Sequence, residues 1–224
     1  MEGARARLED AWRSFVDLRS LADITIQQGR RPQRLSGVLL LKAPATFRFE
    51  ALSPFGPPLL VVAGSPESVT VWEVLRNRAY LLPSTPDANR RWLGLALPAE
   101  DLVAFLAGQV RPMSAPRTGT LVPPDETGSS LRLSGPEGTQ RVRLDPRGRP
   151  LKVEWTEGKS PLRVTFTRAE DGGDDVPPRE IRLQTLDGKL EVSVVYREPR
   201  LNSGLDTALL ALTVPQGVEI QDFR

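Results

Sequence analysis

The chain has 224 residues and a formal net charge of only +2, from 30 lysine and arginine and 28 aspartate and glutamate residues. It contains no cysteine and no histidine, which excludes disulfides, thiol nucleophiles, zinc sites of the usual kind and Ser–His–Asp triads. Its basic residues alternate with apolar ones and form no blocks, so no nucleic-acid partner is predicted.

No run approaches the roughly 20 apolar residues that cross a bilayer as a helix. The first residues lack the apolar segment of a signal peptide. Met1 is either a native start or a start placed after a removed export signal, and the sequence leaves both open.

The N-terminal part predicts one helix and then a series of strands. Apolar residues recur at helical spacing over residues 8–21, which predicts an amphipathic helix. Residues 22–28 alternate apolar with polar side chains and predict a first strand. Residues 34–42 predict a second strand that is apolar on both faces and therefore covered on both.

Residues 46–62 are the segment around which the rest of the chain is organised. Residues 47–51 alternate apolar with charged side chains, as in a strand with one apolar face. Residues 53–58, Ser-Pro-Phe-Gly-Pro-Pro, predict a turn, and residues 59–62 the next strand. Phe55 has few sequence neighbours to cover it, so it either folds back onto the core or is offered to an apolar partner.

Two further strands are predicted near residues 69–72 and 80–82. After them the spacing of the apolar residues changes from that of a strand to that of a helix. Residues 86–95 predict a short helical turn, and residues 98–108 a clear helix. This helix has proline and acidic residues at its start and Gly108 at its end, which are favourable signals. The following residues 111–128 are predicted to be a loop and are the only candidate linker.

A β meander is predicted from residue 131 onward. Asp187-Gly188 is a strong signal for a two-residue hairpin. The tail is predicted to add one or two last strands at residues 210–215 and 218–220. The meander strands lie near residues 131–133, 142–144, 151–155, 162–166, 181–183 and 190–194.

So many antiparallel strands, each with one apolar and one charged face, must curl to bury the apolar face. A closed barrel and an open sheet capped by helices both achieve this, and the helices favour the second. We therefore predict a mainly β fold with some α, in which a curved antiparallel sheet (an unclosed β-barrel) is capped by helices over an apolar cavity. Residues 1–224 are predicted to form a single domain.

Three segments, taken together and in this order, resemble a known family. The first is Ser-Pro-Phe-Gly at residues 53–56, after a strand. The second is a Gly-x-x-x-Pro…Leu-x-x-x-Leu-x-Gly pattern at residues 94–108. The third is Leu-Lys-Val-Glu-Trp at residues 151–155, followed by the strand and hairpin of residues 176–195. This order resembles the LolA/LolB family of bacterial lipoprotein carriers over roughly residues 8–195, and its first half is closer to LolB, the outer-membrane receptor.

The resemblance implies an unclosed barrel whose cavity takes acyl chains. It also implies that Phe55, between Pro54 and Gly56, projects from the body and assists membrane insertion of the lipoprotein. The C-terminal tail looks more like that of LolA-type carriers. LolB is anchored through a lipidated cysteine that this chain lacks, so an anchored receptor and a soluble shuttle both stay open.

We predict that a set of apolar residues lines a lipid-binding cavity, with a dry core as the alternative. The set consists of Phe47, Phe49, Ala51, Leu60, Val62, Val71, Trp92, Leu102, Phe105, Leu133, Val153 and Trp155. The predicted membrane-insertion loop is Pro54, Phe55 and Gly56.

The predicted protein is a periplasmic monomer that can be anchored to the outer membrane, and not an enzyme. Its predicted partners are lipoprotein acyl chains or other lipid, a periplasmic carrier protein and the outer-membrane surface, with no cofactor and no metal. The carboxylate pairs Glu100-Asp101 and Asp174-Asp175 are better explained as a first helical turn and a solvated loop. A glycosidase or other hydrolase stays a formal alternative, because carboxylates can act without motif spacing. A non-catalytic envelope β domain that binds other proteins is the main alternative.

Overall fold

The computed structural model describes residues 2–54, 56–125, 128–136, 138–156, 161–169 and 176–224, with the backbone alone at residues 92, 93 and 123–125. The helices are α1 Glu2–Ser14, α2 Pro86–Leu93 and α3 Ala99–Leu106, and the short 3-10 helices are Val74–Arg76 and Thr207–Leu210. The strands are β1 Asp17–Gln28, β2 Gln33–Lys42, β3 Thr46–Ser53, β4 Gly56–Gly64, β5 Ser68–Glu73, β6 Arg78–Pro83, β7 Thr118–Asp125, β8 Gly128–Gly135, β9 Gly138–Leu144, β10 Pro150–Trp155, β11 Leu162–Thr167, β12 Glu180–Thr185, β13 Leu190–Leu201 and β14 Glu219–Asp222.

The 14 strands belong to one hydrogen-bonded sheet in the order β14-β6-β5-β4-β3-β2-β1-β13-β12-β11-β10-β9-β8-β7. Neighbours from β2 to β6 and from β7 to β13 pair antiparallel, whereas β14 pairs with β6 in parallel. The order has two ends, at β14 and β7, so the sheet is unclosed. The prediction of a mainly β fold on an unclosed antiparallel sheet is confirmed.

The chain divides into two compact units. Unit 1 consists of Met1–Phe15, Thr25–Gln33 and Ala104–Val195, and unit 2 of Val16–Ile24, Arg34–Val103 and Tyr196–Arg224. Each unit has its own buried apolar side chains, for example Leu131 and Val164 in unit 1 and Leu41 and Ala79 in unit 2. That residues 1–224 act as a single domain stays a prediction.

Local signals explain the bounds of α2. The Thr85 side chain accepts a hydrogen bond from the backbone N–H of Ala88 at 3.2 Å, and Pro86 follows at the first helical position. Gly94 ends the helix at φ +74°, in the left-handed region that glycine adopts without steric cost. The buried side chain of Asn89 then donates to the carbonyl of Leu97 at 2.7 Å, which fixes the connection towards α3.

The prediction of a helix over residues 8–21 is wrong in its second half. The helix ends at Ser14 and β1 begins at Asp17. From Leu18 onward the buried positions alternate, with Leu18, Ser20 and Ala22 buried. The cause is tertiary, because Ser20 Oγ donates to the carbonyl of Arg197, which is 177 residues away in the chain.

Two further predictions are corrected. Residues 111–128 are not all loop, because they contain β7, which pairs antiparallel with β8. A strand is predicted at residues 210–215, but residues 211–218, all of which the structure describes, form no strand. Leu210 instead ends a 3-10 helix and packs in a buried cluster with Leu40 and Leu205. The last predicted strand is confirmed as β14.

Candidate functional site

In unit 2, one face of five neighbouring strands carries a continuous apolar row, here called the open row. Its residues lie directly opposite one another from β2 to β6, so they project from the same face. They are Leu39, Phe49, Val62, Val71 and Tyr80. Leu39 and Phe49 are only 2% and 7% exposed, whereas Val62, Val71 and Tyr80 are half-buried. The row is therefore covered at its β2 and β3 end and open at its β5 and β6 end.

Phe47 lies next to the open row, on the same face. It is opposite Gly64 in the β3–β4 pair. A Cβ built on Gly64 would come within 2.2 Å of the Phe47 ring, so the ring lies directly over the glycine. Gly64 is required here because any side chain would displace this aromatic ring.

A polar rim borders the open row. Ala51 and the half-buried Leu60 form the neighbouring pair on the same face, and Leu60 lies opposite Glu73 of β5. The Tyr80 hydroxyl donates to Glu73 Oε2 at 3.3 Å, and Arg76 Nη1 donates to Glu73 Oε1 at 3.1 Å. Apolar side chains that are partly open and end in a polar rim can hold a hydrocarbon chain by burying it.

In unit 1, Leu133, Val153 and Trp155 also share one face. The register places Val153 opposite Val142 and Val164, and Trp155 opposite Gln140 and Leu162. Leu133 is 1% exposed and Val153 is fully buried. The indole N–H of Trp155 is buried and has no hydrogen-bond acceptor among the residues that the structure describes.

The remaining residues of the predicted set lie on the helices. Phe105 of α3 is 1% exposed and Leu102 is half-buried. Trp92 lies in α2, but its side chain is outside the described part of the chain. The structure therefore brings three predicted residues onto one face of unit 1 and six onto one face of unit 2. The three are Leu133, Val153 and Trp155, and the six are Phe47, Phe49, Ala51, Leu60, Val62 and Val71. A shared lipid cavity stays a prediction.

The predicted insertion loop is the hairpin between β3 and β4. Pro54 and Gly56 are exposed, and Phe55 lies outside the described residues. The carboxylate pair Glu100 and Asp101 occupies the first turn of α3, as expected, whereas Asp174-Asp175 is not described. The described residues contain no group of His, Cys, Asp or Glu side chains that could hold a metal ion. No helix in them is long and apolar enough to cross a membrane.

The sequence reasoning missed a buried carboxylate that fixes the C-terminal segment, residues 202–224. The Asp17 carboxylate accepts hydrogen bonds from the backbone N–H groups of Ser203, Gly204 and Leu205 at 2.8–3.1 Å, and from the Ser203 hydroxyl at 3.1 Å. Burial opposes ionisation of Asp17, but these hydrogen bonds outweigh it and hold the pKa of the carboxyl below its ordinary value. No local pattern predicts these contacts, because the partners lie 186–188 residues away.

Two basic side chains of unit 2 hold the same segment further along. Lys42 Nζ donates to the carbonyl of Leu205 at 3.0 Å and to Thr207 Oγ1 at 2.7 Å. Arg48 Nη1 donates to the carbonyl of Ala211. Lys42 lies opposite Thr46, and Thr46 and Arg48 alternate with Phe47 and Phe49 along β3, so residues 205–211 lie on the face opposite the open row.

Three solved structures share the fold. The first is a domain provisionally described as an outer membrane lipoprotein-sorting protein from Vibrio parahaemolyticus, with a TM-score of 0.62 and 11% identity over 93% of this chain and 94% of that one. The second is a DUF1329 family protein from Desulfovibrio piger, with a TM-score of 0.64 and 12% identity over 93% of this chain and 95% of that one. The third is a LolA superfamily protein from Nitrosomonas europaea, with a TM-score of 0.58 and 12% identity over 93% of this chain and 97% of that one. No protein-family model and no curated protein matches the chain. The predicted resemblance to LolA/LolB proteins is confirmed for the fold.

Proposed function

We propose that this chain, which shares the fold of LolA superfamily proteins, binds acyl chains of lipoproteins or of other lipids and carries or inserts them at the bacterial outer membrane. The open row of unit 2 carries this proposal, because Val62 and Val71 remain half-buried next to the nearly covered Phe49. A hydrocarbon chain laid on this row would complete the burial of these side chains.

Hydrophobic burial alone can supply the affinity. Each acyl methylene that leaves water contributes about 0.8 kcal/mol. A chain segment of moderate length therefore binds without a charged partner, and the open row offers none between Leu39 and Val71. The protein would act as a binding protein and not as an enzyme.

The β3–β4 hairpin is the proposed insertion element. Its tip, Pro54-Phe55-Gly56, joins the two strands that hold Phe49 and Val62, so a ligand on the open row would lie on the strands that lead to Phe55. We propose that Phe55 enters the lipid phase during delivery. The proposed location is the periplasm, with a periplasmic carrier protein as donor and the outer-membrane surface as acceptor.

The alternative, an adaptor that binds protein at a sheet edge, has less support. One edge strand, β7, contains Pro123 and Pro124. Proline has no backbone N–H, so these positions cannot donate to an added strand.

Binding of a fluorescent fatty acid tests the proposal. The variant Val62→Glu/Val71→Glu places two carboxylates in the open row, and we expect at least a tenfold loss of affinity, because a buried unpaired charge is unfavourable. Leu75→Glu is the matched control, since Leu75 is 76% exposed, and it should bind as the wild type does. Equal binding by all three proteins, or none by the wild type, would contradict the proposal.

The insertion step needs a separate measurement. Phe55→Glu should impair transfer of a bound lipoprotein to outer-membrane vesicles while fatty-acid affinity and melting temperature stay within error of the wild type. A large fall in melting temperature would show instead that Phe55 belongs to the core.

A further inference from the structure

Unit 1 has a charged sheet face, here called the basic face. It lies on β8–β11, on the side opposite Leu133 and Val153, because side chains alternate along each strand. It carries five cationic side chains and one carboxylate, although the net charge of the whole chain is only +2. These residues are Arg132, Arg141, Arg143, Lys152, Arg163 and Glu154.

Two pairs of like charges lie directly opposite one another on this face. Arg132 of β8 faces Arg141 of β9, and Arg143 of β9 faces Lys152 of β10. Like charges in directly opposed positions destabilise a sheet, since their Cβ atoms are only about 5 Å apart. Folding alone therefore does not favour this arrangement.

The one carboxylate is already engaged. Glu154 Oε1 accepts a hydrogen bond from Arg163 Nε at 2.7 Å, and Lys152 Nζ forms an ion pair with the same oxygen at 3.2 Å. Glu154 also lies opposite Arg141 in the β9–β10 register. Arg132 and Arg141 are nevertheless exposed, and among the described residues the ion pairs of Glu154 go to Lys152 and Arg163 and not to either of them. Arg132 and Arg141 therefore carry positive charge that no ion pair among the described residues neutralises.

We propose that the basic face docks on the surface of an anionic lipid bilayer. This docking extends the proposed function. It rests on that function only because both place the protein at a membrane. Long cationic side chains on a sheet face attract acidic headgroups without fixed contact geometry. An acidic protein would need buried aromatic or aliphatic anchors, whereas the positions between the cations hold serine and threonine, such as Ser130, Ser134 and Thr165.

Flotation of the full chain with lipid vesicles tests this docking. We expect binding to phosphatidylcholine vesicles that contain phosphatidylglycerol and none to phosphatidylcholine alone. Binding should fall steeply between low salt and about 0.5 M NaCl, because salt shortens the screening length to a few ångströms. Arg132→Gln/Arg141→Gln should lower the partition coefficient about tenfold or more.

The matched control is Arg30→Gln/Arg31→Gln, which removes the same charge from the exposed turn before β2 and should keep the partition coefficient within twofold of the wild type. Arg132→Gln/Arg141→Gln should melt about 1–3 °C above the wild type, since it relieves repulsion, so lost binding cannot come from unfolding. It should also bind fatty acid normally, which separates this proposal from the acyl-chain site.

Four outcomes would overturn the docking proposal. They are equal binding to neutral vesicles, no binding to anionic vesicles, an equal loss in the control variant, and binding to polyglutamate without binding to vesicles. The last outcome would point to an acidic protein partner.

Discussion

The apolar faces of the two units differ in how completely they are covered. In unit 1, Leu133 and Val153 are at most 1% exposed, whereas in unit 2 Val62 and Val71 are half-buried on a face of the same alternating type. Alternation therefore identifies the residues that share a face, but it does not show whether that face is filled. Leu133 and Val153 are buried as core residues are, whereas Val62 and Val71 keep part of their side-chain surface exposed.

The largest expected difference comes from the same substitution on both faces. Val153→Glu should destabilise the fold by about 4 kcal/mol or more, because it buries an unpaired charge. Val62→Glu should cost only about 1 kcal/mol, because the carboxylate can turn towards water. Chemical denaturation of both variants measures this difference, and similar losses would show that the open row is core too.

A second test concerns Asp17, which fixes the C-terminal segment through its hydrogen bonds. Asp17→Asn should cost about 2–4 kcal/mol, because an amide cannot accept the four hydrogen bonds of the carboxylate. Folding lowers the pKa of Asp17, so its stabilisation is fully present above the unfolded pKa, near 3.9, and is lost as the pH falls through the folded pKa. The difference in unfolding free energy between wild type and variant should therefore shrink below about pH 4. A difference that stays constant from pH 7 to pH 3 would contradict the role of the charged form.

The smallest effect is expected at Gly64. Gly64→Ala should cost about 1–3 kcal/mol, because the new methyl group displaces the Phe47 ring. Gly56→Ala is the control, since nothing lies within 4 Å of its Cβ position, and its melting temperature should match that of the wild type. If Gly64→Ala were equally neutral, the ring could move freely, and the face around Phe47 would be looser than its burial indicates.

Much of the fold could be predicted because its signals are local. The alternation at residues 47–51 gives β3, and Asp187-Gly188 gives the β12–β13 hairpin, where the N–H of Gly188 donates to the carbonyl of Thr185 at 2.9 Å. The apolar residues of β3, β4 and β5 in the candidate site were also found by alternation. Their common face follows from strand register, which a regular hairpin series sets.

Other features had no local signal. Residues 16–21 have spacings that fit a helix, yet Asp17 lies in a strand and binds backbone groups of residues 203–205. The 3-10 helix at Thr207–Leu210 replaces a predicted strand because Leu210 packs against Leu40. The opposed charges of Arg132 and Arg141 become visible only once β8 and β9 are aligned.

The amino-acid sequence by itself determined the mainly β class, the positions of most strands along the chain and many residues of each apolar face, because these depend on periodicities of two and on turn residues. The tertiary structure alone decided which residues of the open row stay half-buried, where the C-terminal segment lies and which cations oppose one another. These features depend on contacts between residues far apart in the chain, which no local pattern of side chains specifies.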